Sequence, residues 1–229
     1  MREKLTTTSY AVLAQVAVRP WSAYELAQQR VRYFRYTWPA AESAIYREVK
    51  RLAAMRFIVG TKEYTGKRAR TVYSISNTGT GVLQEWLGTP VSPFSMEFEA
   101  MLRVFVAPLG TKEQLIGTLE RVLADARDML VFASHVKQEF IDGINVTQDQ
   151  VYIRAIAVDF FVSHLNTVAA WAERTLEEVE DWDDLAPTDE KNERGLERIR
   201  QTPVDAVGEA LTGVATPPSS QMRSSPTRK

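Results

Sequence analysis

Apolar positions follow short, changing rhythms up to about residue 90 and long seven-residue rhythms beyond it. Leu5 to Val18 sets Leu13, Val16 and Ala17 among small residues and predicts a helix that Arg19-Pro20 stops. Ser22-Ala-Tyr-Glu25 has the form of a capping box, a serine hydroxyl accepting from an early helix N–H while a glutamate reaches back. A short helix over about residues 23–30 should follow. Val31 to Trp38 is dense in arginine and aromatic residues and reads as a turn. Pro39 suits the first position of a third helix, where its missing N–H has no helical partner anyway. In that helix, roughly Ala40–Met55, Ile45, Val49, Leu52 and Met55 recur at spacings of 4, 3 and 3, one apolar stripe. Phe57–Tyr64 and Arg70–Ile75 read as two strands, and Asn77–Leu87 as a fourth helix ended by Gly88 and Pro90.

Beyond this point the elements lengthen. Ser92-Pro93 opens a helix expected over Phe94–Val106, closed by Pro108 and Gly110. Thr111 can cap the next, whose apolar Leu115, Leu119, Val122, Ala126, Met129, Ala133, Val136 and Phe140 hold a heptad seam until Asp142-Gly143. Val151, Ala155, Val158, Val162, Leu165, Ala169, Ala172, Leu176 and Val179 make a second seam, with further bulk at Ile156, Phe160, Phe161 and Trp171. One stripe suffices to pack on a neighbouring helix. A helix this widely apolar needs another partner, and a second subunit is the economical one. The acid run Glu177–Asp184 lies at a helix C-terminus, where the macrodipole disfavours it, and should fray. Thr188–Gln201 holds room for a short helix around Leu196–Ile199, and residues 202–229, rich in Pro, Ser and Thr, read as a disordered tail. The boundaries that result are 1–88, 92–185 and 186–229.

Charge divides along the same line. Residues 1–88 hold 14 Lys/Arg against 6 Asp/Glu, and the remaining 141 hold 14 against 23, so a net charge of −1 conceals +8 and −9. A basic segment of this kind points to a polyanion partner. The side of the third helix opposite its apolar stripe carries Ser43, Tyr46, Arg47, Lys50 and Ala54, with Arg51 at the edge. Cations, a hydroxyl and a phenol on one face suit a helix lying in a major groove, where arginine binds guanine bidentately. The plainer reading is a solvated face. The hairpin favours the first, because Thr65-Gly-Lys-Arg-Ala-Arg70 puts three cations within four residues at its tip with no acid among them.

Helix, helix, two-faced helix, basic hairpin, helix is the order of a winged helix-turn-helix. Leu5-Thr-Thr-Thr-Ser-Tyr-Ala-Val-Leu13 resembles the first helix of PadR-family transcriptional regulators. Trp21-Ser-Ala-Tyr-Glu-Leu26, Trp38-Pro39, Ile45-Tyr46, Lys50-Arg-Leu52, Gly66-Lys-Arg, Tyr73-Ser-Ile-Ser-Asn-Thr-Gly79 and Leu83-Gln-Glu-Trp-Leu87 continue the likeness over residues 4–88. The C-terminal half shares only layout. The resemblance implies a mainly α protein, a winged helix-turn-helix with a two-stranded wing followed by a coiled-coil-like dimerisation domain. It implies a homodimeric repressor of a pseudo-palindromic operator. By position, Ser43, Ala44, Tyr46, Arg47 and Lys50 fall on the recognition helix and Lys67, Arg68 and Arg70 on the wing, with Ser22, Tyr24 and Tyr36 as further phosphate contacts. Glu42 and Glu48 depart from a purely cationic reading helix and either accept from cytosine or face away.

Other residues invite functional readings of their own. Asp159, Ser163, Asn166, Glu173 and Glu177 at helical spacing form a solvent-facing stripe, and His164 reads as a core or rim histidine. Phe160, Phe161, Trp171 and Trp182 are either core or the lining of a pocket for a small aromatic or amphipathic effector, which the resemblance allows. The absence of cysteine excludes disulfides and thiolate chemistry, and two histidines leave no His-rich metal site. No catalytic nucleophile–base pair, phosphate-binding Gly loop or cofactor motif is visible. Gln15 interrupts the first apolar run and Arg19-Pro20 follows it in place of a small-residue cleavage site, so a first core helix is expected rather than a secretory leader, and no stretch approaches the ~20 apolar residues of a membrane span. The expectation is a cytoplasmic DNA-binding dimer. Its rival is a winged-helix adaptor that binds protein.

Overall fold

Local capping starts most of the helices. In the computed structural model, which describes residues 4–33, 40–65 and 68–203, helix α1 (Thr7–Val18) begins at Thr6, whose hydroxyl accepts from the Ser9 N–H while Ser9 answers to the Thr6 N–H. The anticipated box at Ser22 and Glu25 forms, with reciprocal hydrogen bonds of 3.2 and 2.8 Å, and starts α2 (Ala23–Tyr33). This helix runs three residues into the stretch expected to turn. Helix α3 is Glu42–Ala54, so its first helical residue stands three places beyond Pro39, which itself lies outside the described residues.

Strand β1 (Trp21–Ser22) was not legible in the sequence, being two residues long and merged with the cap. It pairs with β3 (Arg68–Ile75), which pairs in turn with β2 (Ile58–Thr65), giving an antiparallel sheet in the order β1-β3-β2. The wing is therefore two strands of a three-stranded sheet, and its strands extend to the residues flanking Gly66-Lys67. Arg68 and Arg70 belong to β3 rather than to a six-residue tip. Arg56 takes a left-handed conformation (φ 60°) just past α3, and the Phe57 N–H reaches back to the Leu52 carbonyl at 3.0 Å. This Schellman closure turns the chain from α3 straight into β2. Ser76 caps α4 (Asn77–Leu87) and donates to the carbonyl of Arg56 or Phe57, tying the far end of the wing to the end of α3. Val12, Leu13, Val16, Trp21, Leu26, Ile45, Val49, Leu52 and Ile58 form the core beneath.

The chain divides into two units, Met1–Met96 with Val146–Asp149 and Glu97–Asn145 with Gln150–Lys229. In the second, α5 is Glu99–Phe105, shorter than anticipated because residues 90–98 carry no regular structure. Helices α6 (Lys112–Ile141) and α7 (Val151–Glu180) pack along Leu115, Leu119, Val122, Leu123, Ala126, Ala169, Ala172, Leu176 and Val179. Only the C-terminal half of the α7 seam is buried; Val151 and Ala155 are exposed. The acid run stays helical as far as Glu180, and Asp181–Asp184 lie beyond the helix. Lys112 donates from Nζ to the carbonyls of Glu180 and Trp182, so a cation caps the α7 C-terminus and offsets its dipole. Helix α8 (Asp189–Gln201), capped by Thr188, is longer than the segment foreseen, while the tail beyond 203 lies outside the described residues. The segment Gln148–Glu180 is long and apolar enough to cross a membrane, which corrects the reading that no stretch approaches that length. The same composition is that of a helix with apolar residues on several faces.

A contrast between two glycines of α4 tests this packing. A Cβ at Gly79 would stand 2.1 Å from the Phe57 carbonyl oxygen, whereas nothing lies within 4 Å of one at Gly81. Gly79→Ala is expected to destabilise the chain by about 1–3 kcal/mol through forced backbone movement. Gly81→Ala should stabilise it by about 1 kcal/mol through helix propensity. Urea unfolding midpoints of the two variants measure both.

Candidate nucleic-acid interface

The burial of α3 sorts its residues by face. Ile45, Glu48, Val49 and Leu52 point inward, and Ser43, Arg47 and Lys50 are exposed, with Ala44 and Tyr46 half-buried between them. Three of the five residues anticipated on the reading face thus lie on the outer side, while Ala44 and Tyr46 stand at its edges, Tyr46 packed against the core. Met55, anticipated at the end of the inner stripe, is the half-buried C-cap residue.

Glu48 settles one question left open by the sequence. It is only 7% exposed and accepts from Arg51 Nε and Nη2, the closest approach being 2.7 Å, while the same guanidinium donates to the hydroxyl of fully buried Ser9 on α1 at 2.8 Å. Burial works to raise the Glu48 pKa. The Arg51 and Ser9 hydrogen bonds and the Arg51 charge outweigh it and hold the carboxyl below its ordinary value. Glu48 therefore faces away from the outer surface, and Arg51, placed at the edge of the reading face by spacing alone, is turned inward with it. Glu42 stays outside. Desolvation and the nearby Glu42 charge raise the pKa of the Tyr46 phenol. Tyr24 is exposed at the start of α2 and close enough to Tyr46 to interact with it electrostatically. Ser22 is engaged in its cap.

Elsewhere the anticipated residues separate. Tyr36 and Lys67 lie outside the described residues, and the strand position of Arg68 is described without its side chain. Arg70 sits between two carboxylates, donating to Glu63 at 3.0 Å and lying 3.5 Å from Glu25. The sequence run that lacked an acid acquires two in space, one from the facing strand and one from α2. Phe160 and Phe161 meet edge to face at 5.6 Å, and Phe160 stacks on His164. Trp171, by contrast, packs beside the α6–α7 core against Phe98. Ten residues of helix separate Phe161 from Trp171, about 15 Å of rise. Within one chain the three do not close around one small ligand.

No family model matches the chain. Over 85 residues it is 31% identical to a probable transcriptional regulator of Mycobacterium tuberculosis, a match covering 37% of this chain and 45% of that protein, so it spans about half the relative's length. The fold is that of PadR-like transcriptional regulators. A PadR-like regulator of Bacillus cereus superposes with a TM-score of 0.64 at 15% identity, covering 76% of this chain and 98% of the other. Bacillus subtilis PadR in complex with operator DNA gives 0.64 at 17% identity, over 77% and 99%. The same protein with p-coumaric acid gives 0.56 at 16%, over 78% and 100%.

The Glu48 pair has a pH signature. A carboxyl whose folded pKa is lowered contributes stability that is fully present above its unfolded value, here 4.5, and is lost as pH falls through the folded value. Glu48→Gln should lower stability at neutral pH and flatten its decline on acidification below about pH 5. Urea midpoints measured from neutral to acid pH for both proteins report the difference.

Proposed function

We propose that this chain is a PadR-like transcriptional regulator that binds double-stranded DNA sequence-specifically as a homodimer, more simply as a repressor than an activator. The observation that carries the reading is the charge sorting of α3, in which the acid at 48 is buried against Arg51 and Ser9 while Ser43, Arg47 and Lys50 stay outside. In this reading α3 lies in a major groove. Arg47 and Lys50 read base edges, Ser43, Ala44 and Tyr46 fill the groove around them, and Tyr24 meets a phosphate. Lys67 and Arg68 on the wing hold the neighbouring backbone.

The dimer follows from the half of α7 that α6 leaves uncovered. Tyr152, Ile156 and Phe160 are exposed, the last at 56%. Surface of this kind is stable in water when a second subunit covers it. Two reading helices would then face one side of the duplex, about 34 Å or a multiple apart. A small aromatic effector, of the kind Bacillus subtilis PadR holds, would act by shifting the dimer away from the spacing that fits DNA. Its place would be between subunits, near Phe160 and Phe161, since Trp171 is too distant on the same chain. The reading assigns no catalytic residue, metal or cofactor and places the protein in the cytoplasm.

Two experiments test these assignments. Arg47→Ala should cost about 1–3 kcal/mol on the preferred duplex and relax base choice, whereas Arg68→Ala should weaken all duplexes alike and make the salt dependence shallower. Equal, sequence-blind losses from both would overturn the recognition-helix assignment, and affinity insensitive to salt would favour the protein-binding adaptor. Ile156→Glu with Phe160→Glu should convert a dimer to monomer in sedimentation equilibrium while preserving helix content. An unchanged dimer would place the interface elsewhere.

A further inference from the structure

Arg70 stands directly across from Glu63 in the β2–β3 register, the position at which opposite charges on neighbouring strands meet. Its Nε and Nη2 both donate to Glu63 Oε2, at 3.3 and 3.0 Å, and its Nη1 lies 3.5 Å from Glu25 Oε1. Glu25 is not free to leave. Its other oxygen accepts from the Ser22 N–H at 2.8 Å in the capping box that starts α2. Burial works to raise its pKa, but the Ser22 hydrogen bonds and the Arg70 charge hold it below the ordinary value, so it is ionised at neutral pH. Two carboxylates from two different elements thus converge on one guanidinium. The group of two carboxylates and one guanidinium carries a net negative charge on the strand that follows the wing tip.

We infer that Glu25 and Glu63 are specificity-determining residues that hold the Arg70 guanidinium out of the phosphate grip and so limit the wing's sequence-blind hold on DNA. Their effect rests on the DNA-binding reading above. A phosphate that drew Arg70 away would leave two carboxylates beside itself, one fixed in a helix cap, and the repulsion would cancel much of the contact. With wing affinity restrained, binding depends on what α3 reads. Non-specific binding is almost wholly electrostatic, so one cation withheld lowers it more, in relative terms, than it lowers binding to a site that also offers base contacts.

The test is a set of anisotropy titrations of the full chain against a random-sequence duplex over a range of salt at neutral pH. The slope of log affinity against log salt counts phosphate contacts, at about 0.9 per contact. Glu63→Gln together with Glu25→Gln should steepen that slope by about one contact and tighten random-duplex binding several-fold at moderate salt. Glutamine can still form the capping box, and Glu63→Gln alone, on an exposed strand, serves if the double variant loses helix content. Arg70→Gln in the wild-type background should leave the slope unchanged, and added to the double variant it should return the slope to the wild-type value. An unchanged slope for the glutamate variants overturns the inference. So does a loss of about one contact on Arg70→Gln alone, which would put Arg70 on a phosphate already. Wild-type protein that binds no duplex at low salt overturns the DNA-binding reading itself, a result distinct from the other two.

Discussion

The rotation of α3 about its own axis decides which residues this chain can offer to a partner, and a buried ion pair joins the apolar stripe in fixing it. Ile45, Val49 and Leu52 would tolerate some rotation, since apolar contact is non-directional. Glu48 would not. Buried with Arg51 as its partner and Ser9 beyond, it must keep its hydrogen bonds or stand as a charge without compensation, which costs several kcal/mol. The pair thereby locks α3 to α1 and sets Ser43, Arg47 and Lys50 outward together.

The closures at the ends of α3 carry that orientation into the wing. The left-handed turn at Arg56 and the Ser76 hydroxyl join the end of α3 to both strands of the hairpin. Arg70 then joins β3 back to the start of α2 through Glu25. Helix, wing and cap form a closed loop of directional contacts over an apolar core. In the DNA-binding reading proposed above, a helix in a groove and a wing on phosphates would need such mutual rigidity, because an offset of about 1 Å would misplace contacts that depend on hydrogen-bond geometry.

The second unit follows a different logic. Its α6–α7 seam is non-directional and half used, buried from Leu165 to Val179 and open toward Val151. The exposed apolar residues there are what make the segment resemble a membrane span by composition. The polar residues on the same helix, Arg154, Asp159 and Asn166 among them, suit a helix that meets protein on one side and water on another.

Periodicity alone determined the helices, the two strands of the hairpin, the outward set on α3 and the heptad seam, because each is a property of neighbours within a few turns of chain. It could not determine where charges go. In the sequence Glu48 either accepts from cytosine or faces away and Arg51 stands at the edge of the reading face, and only α1, by bringing Ser9 against them, decides between these. Arg70 reads as a free cation until β2 and α2 each bring an acid to it. Likewise Lys112 finds the α7 carboxyl end 68 residues away and caps it within the run that read as fraying. The two-residue β1 exists only because β3 offers it a partner. Side-chain period is written locally, whereas the partner of a charge or of a backbone N–H is chosen by chain segments far apart in sequence, and only the tertiary fold brings them together.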